Sequence, residues 1–227
     1  MNPNHNEYLE YLESSGQKLI INDKFFKITN DPLLLAKFCN DNIKKAGSLL
    51  DIGSGNGILP LLLVKNPFLT NIFGVEIQKN IYDYFKKNIL INDLNDKIFS
   101  YHTDIKDFSP KEKFDYIISN PPYYKITSGK LPEVEELLIS KFEKNLNLED
   151  LILSIKRLLK NHGKFFIIII PDRFNDIMKY IYSNNMNTIR IKTISYNNNI
   201  KFILIEGQNG GNPKKTFFEN ENLYFKH

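Results

Sequence analysis

From Ser48 onward, short aliphatic and β-branched runs alternate with stretches whose apolar positions recur every three or four residues. Ser48–Gly53 (SLLDIG) predicts a buried strand. Ile58 to Lys65 is compact and apolar, and Asn66-Pro67 stops it as a helix because a residue before proline is pushed out of the α region. Asn71–Ile77 predicts a second strand, and Gln78 to Asn92 places Ile81, Tyr84, Phe85, Ile89 and Leu90 at helical spacing. Lys97–His102 and Phe114–Ser119 predict two further strands. Leu148 to Asn161 predicts a helix with Leu151, Ile152, Ile155, Leu158 and Leu159 on one side. His162-Gly163 then turns the chain into Lys164–Ile170, whose unbroken Phe/Ile content suits a central parallel strand. Asp172 is the expected N-cap of a helix reaching about Asn184. Strands near Thr188–Tyr196 and Ile200–Glu206 close the series around the turn Asn197-Asn198-Asn199.

This alternation predicts an α/β fold, a doubly wound and mostly parallel sheet with right-handed crossovers. About three residues join the last two strands, whereas parallel neighbours need a crossover of about a dozen, so this pair is predicted as an antiparallel hairpin. The 227 residues are read as one domain, with 1–47 an N-terminal cap segment, 48–206 the core and 207–227 a C-terminal tail.

Composition mainly excludes. With 42% hydrophobic and 25% charged residues the chain is not wholesale disordered. Its Phe165–Ile170 run is six residues long, far below the roughly 20 that span a bilayer. The opening Met1-Asn-Pro-Asn-His-Asn-Glu7 has no leader character, so a cytoplasmic protein without membrane partner is expected. Cys39 is the single cysteine, which excludes an intrachain disulfide; it reads as a small hydrophobe on a helix near Leu34 and Leu35. His5, His102, His162 and His227 lack ligand spacing, and no metal is expected. Charge is uneven. Residues 1–140 carry 16 Lys/Arg against 18 Asp/Glu, and residues 141–227 carry 14 against 8. That basic excess suits a polyanion such as nucleic acid. Only Arg157, Arg173 and Arg190 are arginines.

Asp51-Ile-Gly53-Ser-Gly55-Asn-Gly57 follows the first predicted core strand and opens a helix, which places a glycine turn at the carboxyl edge of the sheet. Glycines admit positive φ and close approach of a ligand. Glu76 ends the next strand, where an acid can accept from both hydroxyls of a ribose. The sixth position of a dinucleotide fingerprint would be Gly or Ala and is Ile58 here. Asp51 is not needed for a pyrophosphate and favours a positively charged ligand. S-adenosylmethionine (SAM) carries a sulfonium and an ammonium and no phosphate. Asp104, after the third strand, is placed to accept an adenine amino group.

The fourth strand delivers Asn120-Pro121-Pro122-Tyr123 to the same edge. An exocyclic amino or amide nitrogen is a poor nucleophile because its lone pair is delocalised. The Asn120 side-chain carbonyl and the Pro121 main-chain carbonyl are placed to accept its two N–H bonds, drawing the nitrogen toward tetrahedral geometry. Two prolines stiffen the turn so that these acceptors are prepositioned. Tyr123 offers a flat face for stacking a planar target.

Together, Asp51-x-Gly53-x-Gly55-x-Gly57, Glu76, Asp104 and Asn120-Pro-Pro-Tyr123 resemble the motifs of class I SAM-dependent N-methyltransferases. From about Phe25 to Gly211 the chain resembles the bacterial tRNA1(Val) adenine-37 N6-methyltransferases. The match is carried by Phe26-Lys-Ile-Thr29-Asn-Asp31-Pro-Leu-Leu-Leu35-Ala, Leu50-Asp-Ile-Gly53, Gly57-Ile-Leu-Pro-Leu-Leu62, Val75-Glu-Ile77, Leu158-Leu-Lys-Asn-His-Gly163 and Ile205-Glu-Gly207. The resemblance implies a seven-stranded Rossmann-like sheet, SAM as cofactor, and adenine N6 in a tRNA anticodon loop as acceptor, with no obligate protein partner. It places Thr29 and Asp31 near the methionine end of the cofactor. Ile77, Ile105 and Asn120 join the three acids and the glycines as cofactor contacts. Pro122, Tyr123, Tyr124, Lys125 and Lys130 are the expected substrate contacts, with Asn120, Pro121 and Tyr123 catalytic. Lys141-Phe142-Glu143 stands where the family has Arg-His-Glu, and the aromatic-rich tail is partly matched. Residues 221–227 partly resemble a tag-protease site but lack its Gln, and are read as native. Two other readings share these motifs: a glutamine N-methyltransferase of the release-factor type, and a SAM-binding module without catalysis.

Overall fold

The aliphatic runs become strands that are buried on both faces. A computed structural model describes residues 7–22, 29–123, 146–212 and 215–223. In chain order these form β1 (Glu7–Leu12), β2 (Gln17–Asn22), α1 (Asn30–Asn42), β3 (Gly47–Ile52), α2 (Ile58–Leu63), β4 (Leu69–Glu76), α3 (Lys79–Leu90), β5 (Ile98–His102) and β6 (Phe114–Ser119). There follow α4 (Leu148–Leu158), β7 (Leu159–Ile169), a 3-10 turn (Pro171–Arg173), α5 (Phe174–Ser183), β8 (Met186–Tyr196), β9 (Asn199–Asn209) and β10 (Phe217–Leu223).

The main sheet runs β10-β8-β9-β7-β6-β3-β4-β5. Strands β3 to β7 are mutually parallel, and β9 is antiparallel to both β7 and β8. Period-two alternation divides the β7 side chains between two cores. Phe166 and Ile168 pack with Phe38 of α1, Leu61 of α2 and Phe85 of α3. Phe165, Ile167 and Ile169 pack with Leu151 and Ile155 of α4 and Ile177 of α5. Each such buried side chain contributes about 1.5–3 kcal/mol. Chain order reverses between β3 and β6, whose last residues Ile52 and Ser119 are paired, and the Ser119 hydroxyl donates to the Ile52 carbonyl at 2.9 Å. Open α/β sheets bind ligands at such a switch point.

Five features differ from expectation. The sheet has eight strands where seven were expected, because residues 217–223 of the tail pair in parallel with β8. Cross-strand pairs hold this strand: Arg190 bridges Glu219, and Lys192 bridges Glu221. Residues 7–22 form an antiparallel hairpin whose Leu12, Leu19 and Ile21 join the first core. Asn88 of α3 and Asn92 in the turn after it accept from the main-chain N–H groups of Ile20 (2.7 Å) and Lys18 (2.8 Å) and so dock it. His162-Gly163 lies inside β7, with His162 at φ +60°, as an irregularity in the pairing with β6. Asp172 does not cap α5: it lies in the 3-10 turn, and the N-cap position is Arg173. The β8–β9 turn is shorter than expected, with Asn197 and Asn198 both at positive φ, as a two-residue hairpin turn of the primed type requires.

Candidate active site

The ends of β3, β4, β5 and β6 lie side by side, so the candidate residues that follow them share one edge. At β3 the chain turns sharply: Gly53 and Ser54 N–H both donate to the Val75 carbonyl at 3.0 Å. Gly57 has φ +86°, and a Cβ there would lie 2.1 Å from the Phe85 ring, so this glycine is required by conformation and by packing. A Cβ on Gly53 would meet nothing within 4 Å, which leaves its outer side open to a ligand.

Asp51 is fully buried, and neither carboxylate oxygen has a hydrogen-bond partner among the described residues. Burial pushes its carboxyl up to about 8, and the nearby charge of Glu76 adds to the rise. A buried carboxylate without a donor is costly unless a cation or proton compensates it. The site therefore fits a positively charged ligand. Glu76 is also buried, which raises its pKa, but it is oriented: Oε2 accepts from Gly55 N–H at 2.9 Å and Oε1 from Gln78 N–H at 2.8 Å. Each oxygen keeps a further lone pair for a ligand hydroxyl. Ile77, next to it, is over one third exposed.

Asp104 heads a turn in which its carboxylate accepts from Lys106 N–H at 2.9 Å. Ile105 is buried in the second core. This loop is held by Arg157, a contact that spacing along the chain does not record. From the last turn of α4, Arg157 Nη1 donates to the Phe108 carbonyl at 2.7 Å and Nη2 to the Ile105 carbonyl at 2.6 Å.

After β6, Asn120 and Tyr123 meet Asp31 from the first turn of α1. Asn120 Nδ2 donates to Asp31 Oδ2 at 2.7 Å. The Tyr123 hydroxyl lies 2.5 Å from Asn120 Oδ1 and 3.0 Å from Asp31 Oδ2. Pro121 is buried, and Pro122 and Tyr123 are half-buried. Thr29, expected beside Asp31, is exposed at the N-cap of α1 without a side-chain capping bond. Two partners of Tyr123 escaped the sequence reading. Phe202 of β9 sets its ring 6.2 Å from that of Tyr123, and the buried Arg173 donates to the Tyr123 carbonyl at 3.2 Å. Tyr124, Lys125, Lys130 and Lys141-Phe142-Glu143 lie outside the described residues.

Among the described residues, several cations of the basic 141–227 span are engaged within the chain. Arg157 and Arg173 bind main-chain carbonyls, Arg190 bridges Glu206 and Glu219, and Lys160, Lys164 and Lys192 pair with Asp115, Glu206 and Glu221. Among the described residues no helix is long and apolar enough to cross a membrane.

The model of the methyltransferase small domain family matches residues 29–185. The chain belongs to that family. Among its relatives is a tRNA1(Val) (adenine(37)-N6)-methyltransferase of Dyadobacter fermentans, 30% identical over 142 residues, 63% of this chain and 58% of that protein. One of the same name from Porphyromonas gingivalis is 28% identical over 177 residues, 74% of this chain and 68% of the relative. The chain thus spans little more than half the length of the Dyadobacter relative. Solved structures agree on the fold. A tRNA m1G37 methyltransferase of Methanocaldococcus jannaschii superposes with a TM-score of 0.65 at 14% identity, over 93% of this chain and 57% of that one. TYW2 of the same organism, solved with AdoMet, gives 0.63 at 14% identity over 92% and 88%. The chain thus shares with these structures a class I methyltransferase fold, here with a mostly parallel sheet.

Proposed function

We propose that the chain transfers a methyl group from SAM to the exocyclic N6 of an adenine in tRNA, at position 37 of the anticodon loop. The observation that carries this reading is the position of Asn120. It stands at the switch point of the sheet, one strand from the glycine turn, on a rigid Pro-Pro loop. The names of the curated relatives support adenine N6 and tRNA as the acceptor.

SAM, when bound, supplies an electrophilic methyl group on a sulfonium. Asp51 would compensate positive charge beside the glycine turn, with Gly53, Gly55 and Gly57 shaping the approach. Glu76 would accept the ribose hydroxyls, Asp104 the adenine amino group, and Ile77 and Ile105 would flank the ring. Asn120 Oδ1 and the Pro121 carbonyl would accept the two N–H bonds of the target amino group and free its lone pair. Tyr123 would stack on the target base with Pro122 beneath it and Phe202 alongside, a contact of about 1–3 kcal/mol. Bases in single-stranded loops enter such a pocket at little unstacking cost. Tyr124, Lys125 and Lys130 are proposed for the flanking RNA.

Labelled SAM with unmodified tRNA1(Val) transcript, followed by nucleoside mass spectrometry, tests the reading. N6-methyladenosine at position 37 is expected. Label on a glutamine of a release-factor peptide, with none on tRNA, would replace it.

A further inference from the structure

We infer that Asp31 is a positioning residue of the acceptor site, which fixes the atom of the Asn120 amide that faces the target amino group and takes over the Tyr123 hydroxyl when that group arrives. The inference rests on the amino-group chemistry proposed above. It assigns Asp31 to the acceptor side of the site, away from the methionine end where the family resemblance puts it.

Asp31 is buried, and its side chain meets two residues that arrive 89 and 92 positions later in the chain. A carboxylate oxygen only accepts, so the atom of Asn120 that approaches Asp31 Oδ2 to 2.7 Å is the nitrogen. The amide oxygen is thereby turned the other way. Without Asp31 the amide is free to rotate by half a turn, and it would then present N–H to the N–H of the target amino group. That is a donor against a donor, in the place where the chemistry needs an acceptor.

The Tyr123 hydroxyl has one proton and, among the described residues, two acceptors within reach, Asn120 Oδ1 at 2.5 Å and Asp31 Oδ2 at 3.0 Å. Directed at Asn120, that proton occupies the oxygen required by the substrate. Rotation about the tyrosine C–O bond sends it to Asp31 instead and frees Asn120 Oδ1, with the two oxygens then separating from their 2.5 Å approach. Asp31 thus supplies the alternative acceptor that makes the exchange inexpensive in hydrogen bonds: one is broken, one is formed, and the amino group gains one.

Full-length wild type, Asp31→Ala, Asp31→Asn, Asn120→Ala and the Asp31→Ala/Asn120→Ala double variant are compared. Calorimetry gives SAM affinity, and steady-state and single-turnover kinetics on tRNA give kcat and KM. Misplacing a reacting group typically costs up to about 100-fold, so Asp31→Ala should lower kcat by about 10–100-fold, with SAM affinity within about twofold of wild type. The double variant should be no slower than Asn120→Ala alone, because Asp31 acts only through that amide. Asp31→Asn, whose amide oxygen can still accept from Asn120 Nδ2, should recover part of the rate; it also covers failure of the alanine variant to fold. SAM affinity falling about tenfold with kcat retained would make Asp31 a cofactor ligand and overturn the inference. Rate losses that add in the double variant would overturn it as well. A wild-type enzyme that methylates a different nitrogen refutes the proposed function instead, and the same cycle on that acceptor still decides the role of Asp31.

Discussion

Arg157 on α4 donates to the main-chain carbonyls of Ile105 and Phe108 at 2.6 and 2.7 Å, and so ties a helix of the second core to the loop that carries Asp104. A planar guanidinium reaches two carbonyls at fixed separation, which an ammonium cannot do from one position. Arg157→Lys should therefore cost about 1.5–3 kcal/mol of stability, the usual range for hydrogen bonds to a charged group. SAM affinity should fall with it, because the loop loses its anchor. Chemical denaturation and calorimetry on the same preparation read both. A variant with unchanged SAM affinity would separate this loop from the cofactor site.

The raised pKa of Asp51 makes a prediction of definite sign. Its carboxyl titrates near 8 in the folded chain and near 4 when unfolded. Between those values the folded protein holds a proton that the unfolded chain has released. Stability of the SAM-free protein should thus fall as pH rises from about 4 to about 8, then level off. Asp51→Asn should flatten that fall. SAM is a cation and favours the ionised carboxylate, so its affinity should rise with pH up to about 8 in the wild type and lose this dependence in Asp51→Asn. Parallel pH profiles for the two proteins would refute a neutral Asp51.

Glu76 does two things at once, and this changes what a conservative substitution should do. Its oxygens hold Gly55 and Gln78 N–H, and the same carboxylate is proposed for the ribose. Glu76→Ala should weaken SAM binding by about 1.5–3 kcal/mol through loss of charge-assisted bonds. Glu76→Gln should be no milder. An amide has one accepting oxygen, so one of the two main-chain N–H groups would face its NH2 group. Calorimetry showing Glu76→Gln near wild type would mean that the loop does not depend on both bonds.

The parallel core was legible because its signal is local: a strand buried on both faces reads as an unbroken run such as Phe165–Ile170, and glycine spacing after SLLD marks the turn. The N-terminal hairpin was not. EYLEYL has three exposed large hydrophobic side chains, Tyr8, Leu9 and Tyr11, and its docking depends on Asn88 and Asn92, about 70 positions away. The strand FFENENL was missed for the same reason, since its acids are paired with Arg190 and Lys192 of a neighbour. Net charge does not locate a binding face. A count of Lys and Arg cannot tell a free cation from one already bonded to Glu206 or to a loop carbonyl. The candidate residues at strand ends could be picked out because topology sends them all to one edge. The contact of Asp31 with Asn120 is a matter of tertiary approach, and spacing along the chain does not record it.

Asn120 and Tyr123 separate chemistry from binding. Asn120 Oδ1 is proposed to accept from a nitrogen whose geometry changes most in the transition state, so its loss should appear in kcat more than in KM. Removing one prepositioned polar partner costs about 10²–10³ in rate. Asn120→Ala should keep near-normal SAM affinity while methyl transfer collapses. Tyr123→Ala should raise KM and lower kcat together, because a stacked base is held in ground and transition states alike. Tyr123→Phe keeps the ring but loses the hydroxyl that reaches Asn120 and Asp31. Because that hydroxyl leaves Asn120 Oδ1 for Asp31 when the amino group arrives, its loss should change kcat by less than about threefold, with KM little changed. Single-turnover rates on unmodified tRNA measure all three. An Asn120→Ala enzyme within about threefold of wild type would remove Asn120 from the chemistry, since that is far below what loss of a prepositioned acceptor costs.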